Sequence, residues 1–99
     1  MIVTVFRSRL RPEAADEYAE WSARMNALAK TMPGYISHKG FTAPDGERVT
    51  IVEFEDEESL KGWSQQSDHM QAKKKGRADF YSEYRIQVCI VQRQSDFPK

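Results

Sequence analysis

The sequence predicts one α+β domain, a four-stranded antiparallel sheet with helices on one face, in the order β-α-β-β-α-β. Three observations predict it. Residues 1–9 carry β-branched groups in alternation, the period of a strand. Residues 13–32 carry apolar groups at helical spacing. Between two later apolar runs lies Ala43-Pro44-Asp45-Gly46-Glu47, a tight-turn sequence in which Pro presets φ and Gly accepts the left-handed position.

Each element has its own reason. Arg11-Pro12 ends the first strand, and Pro12 suits the first turn of a helix. In the helix over 13–32, Ala15, Tyr18, Trp21, Ser22, Met25, Leu28, Ala29 and Met32 fall on one side. Asp16, Glu17, Glu20, Arg24 and Lys30 fall elsewhere. Pro33-Gly34 stops it. Strands follow over 35–42 and 48–54. Asp56 can cap a short helix over about 57–66, with Glu57 and Glu58 favourable in its first turn. Ser67 or Asp68 restarts a helix that runs to about residue 81. The last strand spans 83–92, where Ile86, Val88 and Ile90 alternate. Residues 1–93 make the domain, and 94–99 a polar tail. The order is the ferredoxin-like arrangement.

Composition bounds the function. Ninety-nine residues fit one domain with a modest core. Lys plus Arg equals Asp plus Glu at 15 each, which argues against a nucleic-acid surface, since phosphate binding needs a basic excess. Cys89 is the only cysteine and sits in a strand, so it reads as core, and a reducing cytoplasm is the expected compartment. The apolar run at the start is too short for a membrane span or a signal peptide. Lys73-Lys74-Lys75 reads as a solvated helix face. There is no P-loop, dinucleotide fingerprint or Cys-x-x-Cys.

The sheet has a second face. If Ile86, Val88 and Ile90 lie under the helices, Cys89 and Val91 point away from them. Val3 and Val5 oppose Ile2 and Phe6 in the same manner on the first strand. A face open to water should be mostly polar. This one is mixed, and no third layer remains in the chain, so a second copy forming a homodimer is the simplest cover. The hollow between layers could hold a small ligand.

Three segments carry candidate chemistry. They are Phe6-Arg7-Ser8-Arg9, the run from Trp63 to His69, and Gly76-Arg77 through Phe80-Tyr81 to Tyr84. Together with Pro33-Gly34 after the first helix, this pattern resembles antibiotic biosynthesis monooxygenase (ABM) domains of the dimeric α/β barrel superfamily. The likeness covers nearly the whole chain, about residues 2–92. It implies a dimeric barrel of two ferredoxin-like units. That superfamily hosts quinone-forming monooxygenases, haem degraders and isomerases, so the fold leaves the substrate open. Quinone-forming members place Asn, Trp and Tyr around the short helix that carries Trp63 here. Here Trp63 matches the Trp, His69 stands at the Tyr position and Ser59 at the Asn position. Gln66 stands where close relatives carry a second His. Haem-degrading relatives use a His with an Asn on the first strand, and this first strand has no Asn, so haem ranks low.

His69 shares a helix face with Ala72, Gly76 and Phe80. Facing inward, its imidazole suits a general base for a phenol or enol; the competing reading is a half-buried His with a backbone partner. Trp63, three residues after Leu60, would hold a ring or simply pack the core. Arg7 or Arg9 could steady an oxyanion or superoxide, and a surface salt bridge is the alternative. Phe80 and His38 complete the candidate substrate contacts. His38 and His69, far apart with no acid at metal spacing, make only a weak metal site, and none is expected.

The resulting expectation is a cofactor-independent monooxygenase that oxidises a small aromatic or enolic compound with O2. His69, Trp63 and Arg7 are its catalytic candidates. A proton-shuttling isomerase and a non-catalytic ligand-binding module are the alternatives.

Overall fold

The computed structural model describes residues 1–98. Its sheet has the strand order β2-β3-β1-β4, and all three pairings are antiparallel. The strands are β1 (Ile2–Leu10), β2 (Tyr35–Thr42), β3 (Arg48–Phe54) and β4 (Tyr81–Ile90). The helices are α1 (Ala15–Ala29), α2 (Glu57–Ser64) and α3 (Ser67–Lys75). This is the ferredoxin-like fold.

The boundaries of β2 and β3 coincide with the expected ones because the turn between them is chemically explicit. Gly46 has φ +92°, the Gly46 amide donates to the Ala43 carbonyl at 2.9 Å, and Asp45 Oδ1 accepts from the Glu47 amide at 3.0 Å. Helix α1 is shorter than 13–32. Pro12–Ala14 forms a 3-10 turn before it, and the helix closes at Ala29. The Thr31 hydroxyl then donates to the Leu28 carbonyl at 2.6 Å.

The second helical region departs further. Asp56 caps α2 as expected, accepting from the Ser59 amide at 2.8 Å. The cap of α3 is Gln66, whose Oε1 accepts from the His69 amide at 2.9 Å, rather than Ser67 or Asp68. The helix expected to reach about residue 81 ends at Lys75, and a π-helical turn, Gly76–Phe80, delivers the chain to β4. There Tyr81 pairs with Leu10 across a register shift, so the strand starts two residues before the expected 83. A Cβ on Gly76 would lie 2.7 Å from Tyr81 Cε2, which is why this turn needs a residue without a side chain.

The main core sits between α1, α2 and β3. Phe54 is fully buried, Ala29 and Trp63 close around it, and Met25, Leu28, Met32, Tyr35, Val52 and Leu60 pack against that centre. Burying a side chain of Phe54's size contributes about 2–3 kcal/mol. A second, aromatic cluster lies at the opposite end of α1. There Tyr18 meets Phe80 and Tyr81 edge-on at 5.8 and 5.9 Å, and Phe6 meets Tyr81 at 5.4 Å.

Register fixes the two faces. Ile2, Thr4, Phe6 and Ser8 of β1 lie opposite Ile90, Val88, Ile86 and Tyr84 of β4. Ile2, Thr4 and Ser8 are buried, so this is the helix side. The β4 residues were expected beneath the helices. They do point to that side, yet Ile86, Val88 and Ile90 are 56%, 54% and 78% exposed. The cause is position: β4 is an edge strand, and α3, polar in sequence, contributes no buried residue above it. Cys89, expected in the core, is exposed for a related reason, since it points to the far face of the same edge strand. The lysine run is also more than a solvated face. Lys75 pairs with Glu17 of α1 at 2.6 Å and with Asp79 at 2.9 Å, and Lys73 reaches back to α2.

Two substitutions test this packing. Gly34 has φ +79°, and a Cβ there would lie 2.1 Å from Ser59 Oγ. Gly34→Ala should therefore cost about 2 kcal/mol or more in urea unfolding, and adding Ser59→Gly should recover part of the loss. Phe54→Ala should cost about 3–5 kcal/mol in the same measurement, the range for emptying an aromatic site in a core.

Candidate functional site

Helix α2 ends in carbonyls that have no partner within the helix. The Trp63 carbonyl accepts from the Gln66 amide at 3.1 Å, and α3 adds side-chain donors one turn apart. His69 Nδ1 lies 3.0 Å from the Trp63 carbonyl oxygen. Lys73 Nζ donates to the Ser64 carbonyl at 2.7 Å and to Ser64 Oγ at 2.9 Å. A carbonyl oxygen only accepts, so His69 Nδ1 carries the hydrogen and the neutral ring keeps its lone pair on Nε2. The imidazole also stacks on the Trp63 indole, with ring centroids 3.9 Å apart and planes 13° apart.

Burial pushes the His69 pKa below the usual 6.5; the Trp63 carbonyl opposes that shift and the Lys73 ammonium adds to it. The ring is therefore a neutral base near pH 7, with its orientation fixed and its reactive nitrogen defined. Trp63 itself is buried and belongs to the Phe54 core. The structure thus brings Trp63 and His69 into contact, and it gives His69 the backbone partner that the competing reading foresaw.

Apolar surface lies on the same side of the sheet. Tyr84, Ile86, Val88 and Ile90 form an uncovered stripe along β4, and Phe6 meets the Tyr84 ring at 5.7 Å where the stripe runs into the aromatic cluster. A flat apolar molecule could lie against such a surface. Sequence reasoning placed Ile86, Val88 and Ile90 beneath the helices and named Phe6 and Tyr84 within segments of candidate chemistry. Their alternation gives their side of the sheet and leaves open whether anything covers it. Lys73 was read only as part of a solvated lysine run, though its i,i+4 spacing from His69 was a visible signal.

The remaining candidates lie elsewhere. Arg7 and Arg9 share the far face of the sheet with Val3 and Val5. Arg7 makes a two-point salt bridge to Glu47 at 2.9 and 3.1 Å. Arg9 is held by Asp45 and Glu83 at 2.9 and 3.0 Å. The expectation that Arg7 or Arg9 steadies an anion beside His69 does not fit this placement, because the sheet stands between them. A depression of about 160 Å³ is lined by Arg7, Ser8, Glu47, Glu83, Tyr84 and Arg85, without Trp63 or His69. Phe80 is buried against Tyr18 and serves as core at the far end of α1.

His38 is on β2, the edge opposite β4, so β3 and β1 separate it from the apolar stripe. Its Nδ1 lies 2.6 Å from the Tyr35 hydroxyl, and burial, with Lys30 nearby, lowers its pKa from 6.5. Among the described residues, no three His, Cys, Asp or Glu side chains come together in a way that could hold a metal ion. Also among them, no helix is long and apolar enough to cross a membrane.

Known proteins agree with this architecture. The uncharacterized protein YqjZ of Bacillus subtilis (strain 168) is 30% identical over 93 residues, covering 94% of this chain and 82% of its own. Among solved structures, Rv0793 from Mycobacterium tuberculosis superposes with a TM-score of 0.85 at 14% identity, over 96% of this chain and 98% of that one. SnoaB, a cofactor-independent oxygenase from Streptomyces nogalater, gives 0.79 at 19% identity, over 99% and 97%. At such identities the two structures speak for the fold alone. Residues 1–75 match the family described as Antibiotic biosynthesis monooxygenase, and with the YqjZ likeness across nearly its full length, the chain belongs to that family.

Proposed function

We propose that this protein is a cofactor-independent monooxygenase that oxidises a small aromatic or enolic compound with O2, acting as a cytoplasmic homodimer. The observation that carries the reading is His69: a half-buried imidazole, favoured in its neutral form and tethered through Nδ1, so that Nε2 is its basic nitrogen. Membership of the monooxygenase family supports the reaction class. SnoaB, which shares the fold, is named a cofactor-independent oxygenase, so chemistry carried by substrate and O2 alone is compatible with this fold.

In this reading the substrate's flat apolar body rests on the β4 stripe, and its acidic O–H or C–H faces His69 Nε2. Proton transfer to Nε2 leaves an electron-rich anion. One electron passes to O2, and the resulting carbon radical and superoxide combine to form a C–O bond. The imidazolium returns its proton to the peroxide. Loss of water from the carbon bearing hydrogen and hydroperoxide leaves a carbonyl, so one oxygen atom enters the product and the other leaves as water. Trp63 holds the imidazole plane by stacking. Exclusion of water around the ring would strengthen the electrostatics of proton transfer. Arg7 and Arg9 take no part, being committed to Glu47, Asp45 and Glu83 on the other face.

The far face suits the partner subunit. Val3, Val5, Val49 and Ile51 lie there half-buried beside exposed Phe41 and Cys89, with no layer of this chain above them. A two-fold copy would cover them sheet to sheet and leave the helix side free for substrate.

Oxygen uptake with a panel of hydroxynaphthalenes and cyclic 1,3-diketones tests the activity. The wild type should consume O2, and His69→Ala should lose roughly 100-fold or more in rate, as for a lost general base. Because His69 must be unprotonated, the rate should be flat through neutrality and fall on the acid side with a midpoint below 6.5. Turnover without O2 consumption would identify an isomerase instead, and full turnover by His69→Ala would remove His69 from the mechanism. Sedimentation equilibrium tests the assembly: the wild type should be a dimer at micromolar concentration and Val5→Arg a monomer, whereas a stable wild-type monomer would contradict the proposed partner.

A further inference from the structure

We infer that Lys73 is a positioning residue for His69: by capping Ser64, one peptide beyond the carbonyl that His69 holds, it locks the α2–α3 corner and keeps Nε2 as the free nitrogen of the ring. The inference deepens the proposed function and rests on it only for the catalytic use of that nitrogen.

The geometry is specific. Trp63 and Ser64 are consecutive residues at the end of α2, and their carbonyls are taken by His69 and Lys73, which are consecutive along one face of α3. The Lys73 ammonium makes a second hydrogen bond to Ser64 Oγ, so it is fixed rather than swinging in solvent. Two positively charged groups cannot comfortably occupy adjacent carbonyls. Burial is the main reason the neutral ring is favoured, and an ammonium at Ser64 adds to it, because protonating His69 would put a second cation beside the first. What faces His69 is the Trp63 carbonyl and indole from α2 and the Lys73 charge from α3. Burial lowers the Lys73 pKa from its usual value, and the Arg77 charge, one turn further along the chain, adds to that. Lys73 is partly buried and its neighbour Lys74 exposed, so the two differ in kind although they are adjacent in sequence.

The test is nitrogen-15 NMR of the imidazole in the full chain, without substrate, across a pH titration. His69→Gln identifies the resonance against that of His38. The wild type should show the Nδ1–H tautomer. Lys73→Arg keeps a donor and a charge and should preserve both the tautomer and the titration midpoint. Lys73→Gln keeps a donor and loses the charge, so the midpoint should move up. Lys73→Met loses both, and should also weaken the Nδ1–H preference. If Lys73→Met does not fold, the Arg and Gln variants carry the comparison. An unmoved midpoint in Lys73→Gln, an equal shift in Lys73→Arg, or an Nε2–H tautomer in the wild type would overturn the inference. These readouts need no turnover. A failure to find oxygen uptake would therefore defeat the monooxygenase reading while leaving this result to stand or fall by itself.

Discussion

The chemistry proposed for this chain depends on one hydrogen bond, from the His69 ring to the carbonyl of Trp63. A helix end leaves carbonyls that must find donors. Here a side chain from the next helix supplies one, and in doing so selects a tautomer. Remove that constraint and the imidazole is free to turn, with either nitrogen basic. With it, a carbonyl at the end of an eight-residue helix, which also accepts from the Gln66 amide, fixes the ring in the form that the proposed base requires. The stack on Trp63 extends the constraint into the core, because Trp63 packs against the fully buried Phe54. The position of the base is thus fixed by the most deeply buried part of the fold.

A second constraint is the strand order. With β4 at an edge and the buried residues of the sheet confined to β1 and β3, the helices leave one apolar stripe without cover. Exposed Ile, Val and Tyr side chains in a row are unfavourable in water, and such rows usually mark a contact surface. The far side of the sheet carries its own apolar groups among salt bridges. Among the described residues, no further layer covers either side. The division proposed here, a partner subunit on the far face and substrate on the helix side, gives each surface one occupant.

Much of the fold was legible because local chemistry and long-range packing agreed. The Pro-Asp-Gly turn, Asp56 and the alternation on β1 each specify their element, and β2 and β3 fell where expected. The π-helical turn was not legible. It arises from Tyr81 packing over Gly76, a contact that makes sense only once β4 is paired with β1. Exposure of Ile86, Val88 and Ile90 was missed for the same reason, since alternation assigns a side while cover depends on strand order. At the site, the helix face of His69 was readable from its spacing to Ala72 and Gly76. Its bond to a carbonyl six residues earlier was not, because that requires the bend between α2 and α3. Arg7 and Arg9 could be placed on the side of Val3 and Val5, but their acidic partners come from the hairpin around Asp45 and Glu47 and from β4.

The most direct test of the account is where a small planar ligand binds. NMR of the methyl-labelled, nitrogen-15-labelled protein, titrated with a hydroxynaphthalene that the protein binds, reports this residue by residue. The account predicts concerted shifts at the Ile86 and Val88 methyls and at His69 Nε2, with Val3, Val5 and Arg7 unaffected. Binding that perturbs the Val3 and Val5 face and leaves His69 unchanged would contradict it.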